Sequence, residues 1–262
     1  MYKMIAIDID GTLLTDRKEI LEETKKDIIK AHNNNKIICI CTGRGYPAAK
    51  RYIDALGINI PLVLYNGSRV RMSVEDTLLY NQVLDFNVAK NVFDIIEKHD
   101  GTCCFWADDK LYFNKNNDYT IYYENLTTIK PNIISEVLDD MFTKINKFIW
   151  FDTSDNLERI QKEIINSVEG INFFKSQSHI LEIVPTGVSK GLTLKHLIEL
   201  LGIEREELIA IGDDENDISM IEFAGLGVAM GNAKEKVKQS ADYITSTNNE
   251  NGVGEIIKKF LI

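Results

Sequence analysis

Apolar runs and polar breaks alternate in a regular rhythm over the first eighty residues. Met4-Ile5-Ala6-Ile7, the run from Lys36 to Cys41 and Leu62-Val63-Leu64-Tyr65 are short and lack polar alternation. That pattern predicts strands buried on both faces, as in a parallel sheet. Between them, Leu21 to Asn34 reads as a helix with a polar face, ended by Asn33-Asn34-Asn35. Pro47 to Leu56 reads as a second helix, stopped by Gly57. Strand, helix, strand, helix, strand is the order of a doubly wound α/β unit with right-handed crossovers. Ser68 to Asn81 then reads as short strands forming a flap.

Near Gln82 the period changes. Val88, Val92, Ile95 and Ile96 form a helical stripe, followed by short strands at Thr102–Trp106 and Leu111–Phe113. A helix is expected around Ser135 to Phe142 and a strand at Lys147–Phe151. Asp155 with Glu158 three residues later resembles a capping box that opens a helix striped by Leu157, Ile160, Ile164, Ile165 and Val168. Strands at Ile171–Lys175 and His179–Val184 complete the segment, and Asn114 to Ile134 gives no readable pattern. The first rhythm resumes near Pro185. Ser189 can cap a helix bearing Leu194, Leu197, Ile198 and Leu201. After it come a strand at Glu207–Ile211, a helix, short strands at Gly225–Ala229 and Asp242–Ile244, and a C-terminal helix from Val253. The expected organisation is a parallel-sheet α/β core of residues 1–81 and 186–262, with an inserted α+β cap of residues 82–185. A double linker of this kind suits hinged closure.

Composition narrows the class of partner. With 44% hydrophobic and 27% charged residues, the chain of 262 has ample material for a folded core. Its net charge is −10 and it has no dense Lys/Arg block, which argues against nucleic acid and anionic membrane surfaces. No apolar run reaches membrane-spanning length. The first strand begins within a few residues of Met1, leaving no room for a signal peptide. Cys39, Cys41, Cys103 and Cys104 form no spaced framework and are expected to be buried and reduced. These features predict a cytoplasmic protein, a monomer or a weak homo-oligomer.

The chemistry collects where apolar runs end. Asp8 and Asp10 follow the first strand and lie on one face of it, ahead of Gly11-Thr12. Two carboxylates so close repel unless a cation lies between them or one keeps a proton, so the pair is a metal site, an acid–base pair or both. Thr42-Gly43 follows the second strand, Ser189-Lys190-Gly191 opens a helix, and Gly212-Asp213-Asp214-Glu215-Asn216-Asp217 follows a later strand. A parallel sheet gathers such ends on one edge. Carboxylates there supply hard oxygen ligands for Mg²⁺, while Lys190, Thr42 and the Gly43 amide suit a tetrahedral anion. A metal, a carboxylate nucleophile and a phosphate cradle together point to phosphoryl transfer. No Walker-type Gly-Lys-Ser/Thr loop is present, so a bound nucleotide is not the obvious phosphate source.

In these four clusters, in this order and spacing, the sequence resembles the haloacid dehalogenase superfamily, and within it the Cof-type phosphatases with an α/β cap. The resemblance spans essentially the whole chain, because the insert falls between the second and third clusters. It implies Asp8 as the nucleophile that forms an aspartyl phosphate and Asp10 as the general acid and base. It implies Mg²⁺ held by the Asp8 carboxylate, the Asp10 carbonyl and Asp213. The Ile9 amide, Thr42, Gly43, Lys190 and Asn216 would hold phosphate oxygens. Asp217 would orient metal-bound water or pair with Lys190, and Asp214 would be a solvated loop residue. The implied substrates are small phosphorylated metabolites, above all sugar phosphates, chosen by the cap. A phosphomutase or phosphotransferase and a non-catalytic metabolite-binding regulator are the alternatives.

Several residues have a plainer reading beside the functional one. Arg44 either binds substrate or pairs with an acidic neighbour. Thr42 alone could be a helix cap, and Asn66 reads first as a turn with Gly67. His179 and His196 lie on apolar-patterned elements and read as structural, and Phe105, Trp106 and Tyr112 read as core or sheet surface.

Overall fold

The computed structural model describes residues 1–75, 77–134 and 139–262, which fall into two compact units. The first comprises Met1–Arg44, Lys50–Tyr80 and Ser189–Ile262; the second comprises Gly45–Ala49 and Asn81–Val188.

The first unit is built on an eight-stranded sheet. Its strands and helices in chain order are β1 (Met4–Ile7), α1 (Glu22–Asn33), β2 (Ile37–Cys41), α2 (Tyr46–Leu56), β3 (Pro61–Leu64), β4 (Arg69–Met72) and β5 (Leu78–Asn81). After the second unit, which takes α3–α6 and β6–β11, follow α7 (Lys190–Leu201), β12 (Leu208–Gly212), α8 (Ile218–Phe223), β13 (Leu226–Ala229), α9 (Glu235–Gln239), β14 (Tyr243–Ile244) and α10 (Gly252–Ile256). The sheet order is β14-β13-β12-β1-β2-β3-β4-β5. From β14 to β3 every pairing is parallel, and β4 turns back antiparallel on β3. Thus the segment read as a flap widens the same sheet.

β1 lies in the centre because its four residues have nothing polar to offer solvent, and all four are fully buried. Met4 and Ala6 join Cys39, Cys41, Val63 and Ala210 on one face, packed against Leu194, Leu197 and Ile198 of α7 and Met220 of α8. The alternate residues Ile5, Ile7, Ile38 and Ile40 are equally buried on the other face. Ser189 caps α7 as expected, its hydroxyl accepting from the Leu192 amide at 3.1 Å. Gly191 lets the first turn of α7 press on α8, since a Cβ there would meet the Ser219 carbonyl oxygen at 2.0 Å.

The second unit holds α3 (Phe86–Lys98), β6 (Thr102–Ala107), β7 (Lys110–Phe113), α4 (Asp118–Thr127), β8 (Asn132–Ile133), α5 (Asp139–Phe142), β9 (Ile145–Phe151), α6 (Ser154–Ser167), β10 (Ile171–Gln177) and β11 (Ile180–Pro185). Its six strands run in the order β10-β11-β9-β6-β7-β8. Val92 and Ile96 of α3 with Leu157, Ile160 and Ile164 of α6 bury one face, against Phe105, Phe148, Trp150 and Leu181. On the other, Tyr119 of α4 stacks on Phe151 and Tyr123 meets Phe113. Trp106 donates its indole N–H to the Tyr123 hydroxyl at 3.3 Å.

Two local readings are corrected. Thr153, and not Asp155, caps α6, accepting from the Asn156 amide. The unreadable stretch contains α4, which a capping box opens: Asn117 accepts from the Thr120 amide, and the Thr120 hydroxyl accepts from the Asn117 amide. Its apolar residues Tyr119, Ile121, Tyr122, Tyr123 and Leu126 crowd most of the circumference, so no single stripe announces it. Of the helix expected around Ser135 to Phe142, residues 135–138 lie outside the described residues, and Asp139–Phe142 forms α5. All four cysteines are buried and free. No helix among the described residues is long and apolar enough to cross a membrane.

Replacing Asn117 with Ala removes the cap of α4 and is expected to cost about 1 kcal/mol. A thermal melt should show a Tm lower by roughly 2–4 °C; an unchanged Tm would mean the cap contributes nothing.

Candidate active site

Three of the four predicted clusters begin where a strand of the first unit stops, and the fourth opens a helix. β1 ends at Ile7 and delivers Asp8; β2 ends at Cys41 and delivers Thr42; β12 ends at Gly212 and delivers Asp213. Lys190 is the first residue of α7. Its ammonium is completely buried and lies 2.6 Å from Asp8 Oδ1 and 2.5 Å from Asp217 Oδ1. The second oxygen of Asp217 accepts from the amides of Asp213 and Asp214, both at 3.0 Å. Asp217 is therefore fully engaged, partnering Lys190 and shaping the loop after β12.

Carboxylate oxygens of Asp8, Asp213 and Asp217 lie within 4.8 Å of one another. Asp213 is steadied by the Thr12 hydroxyl, which donates to its Oδ1 at 2.9 Å. Gly11 makes room for it. The glycine has φ of +81°, and a Cβ at that position would meet Asp213 Oδ2 at 2.2 Å. Three carboxylates share one ammonium here, in a region of low polarity. Burial, and then the charge of Asp217, push the Asp8 carboxyl well above its ordinary range. The same two causes raise Asp213 to about 7. Lys190 is driven upward: burial alone would lower it, but Asp217 and Asp8 more than reverse that. The donor set is hard oxygen with surplus negative charge, which fits a small divalent cation such as Mg²⁺.

Asp10 belongs to a different environment. Its carboxylate is gripped by Arg44, with Nε at 2.6 Å from Oδ2 and Nη2 at 2.8 Å from Oδ1, and Lys18 Nζ lies 3.1 Å from Oδ1. Burial would raise this carboxyl, yet the Arg44 fork and Lys18 together hold it at about 2. Of the two readings of Arg44, pairing with an acidic neighbour is the one observed. The carboxylate of Asp10 stands outside the acidic cluster, whose third member is Asp217.

Around these groups the phosphate-binding candidates assemble in part. Ile9 is buried between the two aspartates, its carbonyl accepting from the Leu14 amide at 2.9 Å. Thr42 is buried, and its hydroxyl accepts from the Arg44 amide at 3.1 Å; it shapes a turn and caps no helix, since α2 begins at Tyr46. Asn216 Nδ2 donates to Asn66 Oδ1 at 3.0 Å, and its own Oδ1 is buried without a partner among the described residues. A Cβ at Gly43 would meet the same Asn66 oxygen at 2.8 Å. Asp214 caps Glu215 and pairs with Lys234 at 2.6 Å. His179 packs on Tyr119 and Tyr122, and His196 on Tyr80. Sequence reasoning gave no role to Thr12 or Lys18 and only a turn to Asn66. Thr12 could have been found from its place directly after the Asp-x-Asp-Gly step, whereas Lys18 looks like any charged turn residue.

Known proteins resemble this chain over nearly its whole length. Residues 5–257 match the family of haloacid dehalogenase-like hydrolases. The 5-amino-6-(5-phospho-D-ribitylamino)uracil phosphatase YitU of Bacillus subtilis is 31% identical, the match covering 98% of this chain and 97% of that protein. A haloacid dehalogenase-like hydrolase from Bacteroides thetaiotaomicron superposes with a TM-score of 0.92 at 31% identity, over 99% of both chains. A sugar phosphatase of subclass IIB superposes with a TM-score of 0.83 at 26% identity, over 98% of both chains.

Metal-free protein should lose stability as pH rises. Asp213 titrates at about 7 in the folded state and near 3.9 in the unfolded chain. Between those values the folded state binds more protons, so its stability is full below about pH 4 on this account and falls through pH 7. Each kcal/mol lost should lower Tm by about 2–4 °C, and added Mg²⁺ should restore it. A metal-free Tm equal at pH 5 and pH 8 would contradict the crowding of the carboxylates. The buried carboxylate cluster, its single ammonium and the matched family lead to one assignment: the chain belongs to the haloacid dehalogenase-like hydrolases, as a Cof-type phosphatase.

Proposed function

We propose that this chain is a Mg²⁺-dependent phosphatase of small phosphorylated metabolites, above all sugar phosphates, working through a phosphoryl group carried on Asp8. The observation that supports it most is the Asp8–Lys190–Asp217 group, a carboxylate fixed by a buried ammonium at the end of the central strand. The substrate class is suggested by the phosphorylated ribityl compound named for YitU and the sugar phosphatase among the structural relatives.

A carboxylate oxygen of Asp8 attacks phosphorus, the acyl phosphate forms, and the ester oxygen departs with the electron pair of the P–O bond. Asp10 gives that oxygen its proton. Water then attacks the phosphorus of the acyl phosphate, loses its proton to Asp10, and releases orthophosphate and the Asp8 carboxylate. Lys190, Thr42, the Gly43 and Ile9 amides and Asn216 meet the phosphoryl oxygens as charge shifts on to them. Mg²⁺ would be held by Asp8, the Asp10 carbonyl and Asp213, and when bound it lets two anions approach each other. The inserted segment, residues 82–185, would act as the cap that selects the leaving group.

Asp8→Asn is expected to reduce phosphate release from sugar phosphates by roughly 10⁴-fold or more. It should not lower Tm, because it removes one of the crowded negative charges. Turnover near the wild-type rate would reject the aspartyl phosphate. Asp10→Ala is expected to split the two half-reactions. With para-nitrophenyl phosphate, whose leaving group needs no proton, a stoichiometric burst of nitrophenolate should persist while phosphate release slows by about 10²–10⁴-fold. Equal slowing of burst and turnover would reassign the acid–base role.

A further inference from the structure

A second cluster of cations lies in the first unit, beside Asp10. Residues of the turn after β1, of the start of α1 and of α2 enclose a cleft of about 470 Å³. Arg17, Lys18, Lys25 and Arg51 line it, against two carboxylates, Glu19 and Glu22. An excess of cations over carboxylates is unexpected on a chain of net charge −10. Arg17, Lys25 and Arg51 have no carboxylate within salt-bridge distance among the described residues, and only Lys18 pairs, with Asp10.

The cleft is organised and not merely charged. Tyr52 is buried in its wall, with the guanidinium of Arg51 4.5 Å from the ring centroid and donating to the Tyr52 hydroxyl. Stacking of this kind holds a guanidinium plane in place. Lys18 sits at φ of +62° in a tight turn closed by Lys18 N to Thr15 O at 2.8 Å and Thr15 N to Glu19 O at 2.9 Å. The cleft is also tied to the reaction centre by two routes. Lys18 reaches Asp10 on one side, and on the other the Arg44 that grips Asp10 lies 5.5 Å from the Tyr52 ring.

We infer that this cleft binds a phosphate dianion, and that a doubly phosphorylated small molecule places its second phosphate there. Two guanidinium forks and two ammonium groups match a tetrahedral dianion in charge and donor number. The identity of the phosphate as part of a substrate rests on the phosphatase reading above; the binding of phosphate does not.

The test joins calorimetry to kinetics on the full chain. Titration with inorganic phosphate should show two sites in the wild type, and one in the Arg17→Ala/Arg51→Ala variant, with the lost site weakened at least tenfold. Arg17→Glu, which alters an exposed side chain, should weaken the same site. Equal numbers of sites and unchanged affinity in all three proteins would overturn the inference. The second arm compares fructose 1,6-bisphosphate with fructose 1-phosphate. A roughly tenfold fall in the ratio of their kcat/KM values in the double variant supports a substrate source. Loss of a phosphate site with an unchanged ratio assigns the cleft to free phosphate and overturns the substrate source. A wild type that binds two phosphates, loses one in the variants and releases none from any ester overturns the phosphatase reading and leaves the cleft standing.

Discussion

Everything in the first unit is arranged around one buried ammonium. Lys190 is completely buried, and an unpaired charge in that position costs several kcal/mol. Asp8 and Asp217 meet it from residues 182 and 27 positions away in the chain, so a single cation pins the end of β1, the loop after β12 and the start of α7 to one point. The arrangement depends above all on the ammonium, because removing Lys190 leaves the buried carboxylates uncompensated. It is also incomplete. Three carboxylates within 4.8 Å and one ammonium leave net negative charge in a poorly solvated place, and the upward displacement of Asp8 and Asp213 is the measure of that strain. A fold of this kind has a demand for a further cation built into it.

Two residues along the chain the opposite condition holds. Asp10 is held between a guanidinium fork and a lysine and is kept ionised down to about pH 2. Paired titratable groups pushed apart by their surroundings mark acid–base chemistry. In its resting state Asp10 is in the form that accepts a proton from water. To serve as the acid that protonates a leaving alkoxide, it must first be released from Arg44 and Lys18. Phosphate esters are strong competitors for both side chains, so arrival of an anionic substrate and release of Asp10 are coupled on the proposed reading.

The sequence made the core legible because its signals were redundant. The strand runs contain no polar alternation, and β1, β2 and β12 each end in a polar cluster at the carboxyl end. Parallel pairing then leaves little freedom in where Asp8, Thr42, Lys190 and Asp213 can go. The failures were local. Helix α4 escapes a sequence reading because aromatic residues cover most of its circumference and its capping box is an Asn-Thr pair. Thr153 was passed over for Asp155 because both have cap chemistry one or two residues from the same helix start. The partnership of Asp10 with Lys18 was invisible for another reason: it depends on a left-handed turn residue that is not glycine, and no sequence pattern marks one.

Asn66 shows how a bland reading and a functional one can be the same fact. The Asn66-Gly67 step does make a turn, with Tyr65 at φ of +54° and Asn66 at +60°. Left-handed conformations at a tyrosine and an asparagine in succession cost of order 1–3 kcal/mol each. The turn is retained because of where it puts the amide side chain. Asn66 is fully buried after β3, its backbone N–H donates to the Thr42 carbonyl after β2, and its Oδ1 accepts from Asn216 after β12. One strained residue thus joins three loops that end on the same sheet edge, and it does so from beneath, where solvent cannot compete for its hydrogen bonds. The proposed phosphate-binding residues Thr42 and Asn216 are positioned relative to one another through Asn66, whose backbone holds the first and whose side chain holds the second. Preorganisation of that kind is paid for in backbone strain, and a buried asparagine at positive φ is its visible trace.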